Sequence, residues 1–288
     1  MAAFVLVLGA VSAVFAFGGG SGGRGGSGVA GAAEAVATAA TQTINAQSAD
    51  VSMSMNVSAT GLSDSLTASG AFNFAQKTGS MTMTIPVNGT QYSEQEILDG
   101  STIYVNVSGL GSGLTPPNTP WVAVPVDQSD NSDSGLSTLD PTPLLQQLKS
   151  AGATVSSLGQ TTYDGTLATE YEATLPPSAL ESGMGALSSA SGQNFGADFP
   201  DMTIDIYVTQ DNLLKALVVP TYSFDIVGQT ISVQMTMSFS NYGTAVNVTP
   251  PPPDQVEPFS QFGVGLGNSG STGNTGNSGN SGCGCSNV

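Results

Sequence analysis

The chain has 288 residues and a net charge of −17, from 21 acids against only four bases, with no histidine and two cysteines. Four scattered bases cannot make the cationic surface that nucleic acid requires, and an anionic membrane surface would repel such a chain. Absence of histidine removes the commonest general base and metal ligand, and Cys283 and Cys285 lie in the last six residues, so the folded part has no thiolate zinc site, disulfide or cysteine nucleophile.

Residues 1–17 carry the uncharged run AAFVLVLGAVSAVFAF. It is shorter than the roughly 20 residues of a spanning helix and closer to the apolar region of a signal segment, although no basic residues precede it. Val14-Phe15-Ala16 fits a small-residue cleavage site. Residues 18–29 are Gly-rich and read as a linker. These features predict export or tethering, and one domain of roughly 220 residues over 30–255.

Residues 30–47 are Ala-rich, with Val36, Ala40 and Ile44 on one stripe, which predicts a helix. The pattern then changes to period two. In VSMSMNVS at 51–58, Val51, Met53, Met55 and Val57 point one way and Ser52, Ser54, Asn56 and Ser58 the other, as in a strand with one wet face. The same alternation recurs at 81–85 (Met81, Met83, Ile85), 103–107 (Ile103, Val105, Val107), 202–208 (Met202, Ile204, Ile206, Val208) and 231–239 (Ile231, Val233, Met235, Met237, Phe239). Phe72 and Phe74 belong to another strand, before a turn near Lys77. Asp99-Gly100 and Asp164-Gly165 predict two-residue hairpins, because glycine accepts positive φ without a Cβ clash. Glu94 and Glu96 fall two apart on a strand and share a face, which as charged residues they mark as wet or as an edge.

Two further helices are expected. Asp140-Pro141 caps one with Leu144, Leu145 and Leu148 on its apolar side, and a looser one near 177–190 contains Gly183 and Gly185. The segment DQSDNSDSG from Asp127 hints at a calcium loop, but position twelve from Asp130 is Pro141 where a glutamate is needed, so it reads as a solvated loop. Residues 256–288 form a Gly/Ser/Asn tail with almost nothing to bury. The G-x-S-x-G at Gly19–Gly23 and the G-x-G-x-x-G at Gly265–Gly270 follow from glycine content, since neither sits between a strand and a helix.

These elements predict an α+β, mostly β domain. It is one strongly curved antiparallel sheet of about eight to eleven strands, with two to four helices on its apolar side. Several segments in order resemble the LppX/LprAFG-like lipoproteins of actinobacterial envelopes, relatives in fold of the LolA/LolB carriers. They are the Ala/Thr-rich helix with VSMSMNVS, Trp121-Val122, Asp140-Pro141 with its leucines, then Gly159, Gly165 and Tyr171, DIYV at 205–208 with LLKAL, and Tyr242-Gly243 with Val246 and Val248. The resemblance implies a half-barrel sheet with helices on its concave side, and carriage of lipids or lipidated molecules in the cavity between them. One departure is that Ala10 follows Leu6-Val7-Leu8-Gly9, where such lipoproteins carry the acylated cysteine.

Seven of the nine methionines fall on the apolar faces of the expected strands. Methionine is unbranched and polarizable, which suits an adaptable wall for acyl chains as well as ordinary core filling. The expected cavity wall comprises Val51, Met53, Met55, Phe72, Phe74, Met81, Met83, Ile204, Ile206, Met235 and Met237. No nucleophile stands beside a base, so no catalytic residue, cofactor or metal site is expected. The expected partners are a lipid or acyl-chain ligand and, through the N-terminal segment, the cell membrane, with the domain on the extracytoplasmic side. A close-packed structural or adhesion module without a cavity is the alternative function, and the two differ in whether a continuous apolar pocket exists.

Overall fold

A computed structural model of the chain describes residues 27–59, 62–87, 90–108, 119–125, 153–177, 197–226 and 229–258. The first element is the expected helix, α1 (Ser27–Asn45), which begins inside the Gly-rich stretch. Its buried stripe contains Ala32, Val36, Ala39, Ala40 and Thr43, while Ile44 is half-buried. Alanine loses no side-chain rotamer entropy on helix formation, and here its small side chain also lets the helix lie close to the sheet.

Among the described residues thirteen strands follow: β1 (Ser48–Ala59), β2 (Leu62–Asn73), β3 (Thr78–Val87), β4 (Thr90–Asp99), β5 (Thr102–Asn106), β6 (Trp121–Pro125), β7 (Thr154–Tyr163), β8 (Thr166–Leu175), β9 (Ala197–Asp198), β10 (Met202–Thr209), β11 (Leu214–Ile226), β12 (Gln229–Ser240) and β13 (Val256–Pro258). They make a single curved, unclosed sheet in the order β13-β6-β5-β4-β3-β2-β1-β12-β11-β10-β8-β7, with β9 against the end of β11. Two meanders, β1 to β6 and β7 to β12, are joined by the antiparallel pairing of β1 with β12. Among the described strands, only β13 is parallel to its neighbour, β6. The strand count exceeds the expected eight to eleven because short strands such as β9 and β13 carry too few residues to show an alternation. Of the expected helices, the one after Asp140-Pro141 lies outside the described residues, as does nearly all of the stretch at 177–190.

Both hairpin signals are used, one of them shifted. Tyr163 pairs with Thr166, and Asp164 and Gly165 both have positive φ, 47° and 73°. That is the type I′ geometry whose twist matches the strands. At the other site Asp99 pairs with Thr102, so the loop is Gly100-Ser101 and Asp99 remains the last residue of β4. Phe74 also moves: it lies just beyond β2, in the turn to β3, and is still buried.

Two glycines bring β2 and β3 close together. A Cβ added at Gly70 would stand 2.0 Å from the Ser80 carbonyl oxygen and 2.8 Å from Met81 Cα. Such an approach needs a residue without a side chain. At Gly79 the space is filled by Phe72, its direct cross-strand partner, whose ring carbon would lie 2.6 Å from an added Cβ. In β11 the register with β12 shifts between Val219 and Tyr222. Pro220 sits in that shift, where it has no ladder N–H to supply.

Candidate functional site

The candidate site is the apolar face of the sheet, built by cross-strand register. Met53 stands between Met237 of β12 and Ala68 of β2, and Met55 between Met235 and Leu66. Ala68 in turn pairs with Met83, and Gly70 with Met81. At the other end, Ile204 and Ile206 of β10 face Ala173 and Tyr171 of β8, and Ile206 also faces Leu217 of β11. Because directly opposed side chains share a face, these pairs form one continuous apolar surface.

The expected wall residues therefore occupy a single face. Val51, Met53, Met55, Phe72, Phe74, Met81, Ile204, Ile206, Met235 and Met237 are buried members of one cluster, and Met83 is partly buried against it. Phe72 and Phe74 meet at a ring separation of 5.4 Å. The helix α1 packs mainly on β7, with lesser contact to β10 and β11. It is fixed there partly by Thr43, whose buried hydroxyl accepts the Leu214 N–H at 2.9 Å, while the Tyr242 hydroxyl donates to the Leu214 carbonyl.

One feature of this face contradicts the sequence reading. Glu94 and Glu96 lie on the apolar side, opposite Met83 and Met81 of β3, and Glu96 also faces Val105 of β5. Glu96 is only 7% exposed, and its Oε2 has no hydrogen-bond partner. Burial raises its pKa to about 7, and the neighbouring Glu94 carboxylate adds to the rise. Glu94 is raised as well, by burial. Charge marks the wet side only when nothing else sets the phase of a strand, and here the β3–β4 register sets it. A signal existed: Leu98 is in phase with Glu94 and Glu96, but Ile97, on the other phase, cancelled it.

The opposite face is polar and carries two features. Between β12, β1, β2 and β3 lies an open groove of about 380 Å³. Its floor is made of two cross-strand rows, Ser238, Ser52, Ser69 and Thr82, and Thr236, Ser54, Thr67 and Thr84. Further along, Asp205 and Tyr207 of β10 face Glu172 and Glu170 of β8. The Tyr207 hydroxyl donates to Glu170 at 3.1 Å and its ring stacks on Tyr163 at 4.2 Å. Burial and the adjacent carboxylate push the Tyr207 phenol up to about 12, and burial with Glu170 and Glu172 raises Asp205. These groups hold no base poised beside a nucleophile. Among the described residues no group of three or more acidic or cysteine side chains could hold a metal ion.

The chain is similar in structure to LprF from Mycobacterium bovis. That likeness has 15% identity and a TM-score of 0.42, over 78% of this chain and 99% of that one. Lipoprotein LppX from Mycobacterium tuberculosis is similar at 14% identity and a TM-score of 0.40, over 75% of this chain and 99% of that one. A LolA-superfamily protein from Nitrosomonas europaea is similar at 8% identity and a TM-score of 0.28, over 76% and 94%. No family model matches the chain, and no curated protein matches it. LprF and LppX bear the names of the group that the sequence segments resemble.

Proposed function

We propose that the chain is a non-catalytic binder or carrier of lipids or lipidated molecules, held on the apolar face of the sheet at the extracytoplasmic side of the cell envelope. One observation carries the reading. The apolar surface of β1, β2, β3 and β12 is lined by Met53, Met55, Met81, Met83, Met235 and Met237, away from β7, where α1 packs. Methionine walls adapt to irregular apolar ligands, and each CH₂ buried on them contributes about 0.8 kcal/mol, so an acyl chain can be held by area alone. The extracytoplasmic assignment rests on the apolar run at 1–17 and the Gly-rich linker that follows it.

The low exposure of the wall residues favours a second reading, a close-packed module with no room for a ligand. Native mass spectrometry of the purified full chain, followed by organic extraction, separates the two. The carrier is expected to arrive with bound lipid that extraction releases. A lipid-free chain that also takes up no added lipid would leave the packed module standing.

A further inference from the structure

Most of the apolar face is what a hydrocarbon chain would want, but β4 is not. Its residues in phase with Leu98 are Glu96, Glu94 and Tyr92, so two carboxyl groups stand among Met81, Met83 and Val105. A buried carboxyl oxygen without a partner costs the full desolvation of that group, and a fold that retains one has left a hydrogen-bonding position open. Glu96 is such a group, more than nine-tenths buried with Oε2 unpaired.

We propose that Glu96, with Glu94 beside it, is the head-group site of the apolar face, and that it takes an amphiphile whose polar end is an ammonium group. The inference rests on the reading of that face as a lipid-binding surface and adds the chemistry of the head group. Two acids on one face repel an anionic head group, and a hydroxyl offers a single donor to two carboxylates. An ammonium offers three donors and the opposite charge, which counts most where water is excluded. The described cations do not compete: Lys77 lies in the turn before β3, and Lys215 pairs with Asp164 at 3.8 Å. On the strands flanking β4, the residues that face Glu94 and Glu96 are Met83, Met81 and Val105, none of which titrates. The titrating groups on that side of β4 are Glu94 and Tyr92.

Dodecylamine, dodecanol and dodecanoate, titrated calorimetrically into the full chain at pH 8 below their aggregation limits, test this. The amine is expected to bind at least tenfold more tightly than the alcohol, with dodecanoate weakest. Glu96→Gln should abolish that preference by weakening the amine far more than dodecanol, whose single donor the amide oxygen can still accept. Glu172→Gln, which removes a carboxylate from the opposite face, should keep it, so that general attraction to an acidic protein is excluded. Lowering the pH from 8 to 5.5 should weaken the amine alone. If Glu96→Gln does not fold, Glu94→Gln should still lower the amine preference severalfold. Equal binding of amine and alcohol, or a preference that survives Glu96→Gln, overturns the head-group site while the lipid-binding face stands. If none of the three binds, both fall.

Discussion

Glu96 couples stability to pH in the direction opposite to most acids. Its folded-state pKa, about 7, lies above the ordinary 4.5, so the folded chain holds the proton more tightly than the unfolded one. The stabilisation is complete below the unfolded pKa and is lost as pH rises through about 7. Between pH 5 and 8 the loss is on the order of 2–3 kcal/mol, and Glu94 and Asp205 act in the same sense. Urea unfolding at the two pH values should show the fall, and Glu96→Gln should flatten most of it. Glycines give a second pair of outcomes. Gly70→Ala should cost about 1–3 kcal/mol, because the new methyl meets the Ser80 carbonyl and the strands must move apart. Gly31→Ala, in exposed helix with open space around it, should stabilise by about 0.4–1 kcal/mol. Thermal melts of the two variants should shift in opposite directions. Neither the clash nor the open space could be read from the sequence, where both are a glycine among small residues.

Strands with a long, clean alternation were legible, and those without it were not. The stretches at 51–58, 202–208 and 231–239 lie within β1, β10 and β12, with every expected apolar residue buried except Ile231, which is half-buried. In β4, adjacent Ile97 and Leu98 are both buried, so the strand offers no single phase, and charge alone points its carboxylates to the wrong face. Pro220 would ordinarily argue against a strand interior, yet β11 runs through it by means of a register shift where β10 no longer pairs. At one end of the sheet, β7 has no neighbour beyond it among the described strands, and Leu158, beside the shift at Gly159, is 56% exposed. A free edge with an exposed leucine invites pairing with another chain. Leu158→Lys should therefore reduce aggregation, read by light scattering during heating, while changing stability by less than about 0.5 kcal/mol.

At the scale of the whole molecule, the sheet's two meanders meet at β1 and β12, which places Met53 against Met237 and Met55 against Met235 although the partners are about 180 residues apart in sequence. The wall is assembled only when that pairing forms. Met83, partly buried at the margin of the cluster, is the position from which to test whether the face holds a ligand. In a carrier, Met83→Trp fills ligand space, so lipid recovered by extraction should fall severalfold with stability within about 0.5 kcal/mol of the parent. In a packed core the same change would cost about 1–3 kcal/mol.

The sequence by itself determined the class of fold, the apolar sets of the strands with a clear alternation and the position of α1, because side-chain period and turn chemistry are local properties that a few consecutive residues carry. It also determined that the chain is poor in bases and has no histidine, which limits the chemistry available anywhere in it. Only the tertiary structure decided which strands are neighbours, how closely β2 approaches β3 at Gly70, and that Glu94 and Glu96 lie on the apolar side. Those depend on register between strands, and a register shift of one residue moves a whole strand's side chains to the other face. The unpaired carboxyl of Glu96 is a product of that register: the same glutamate, one position along, would be an ordinary charge in water.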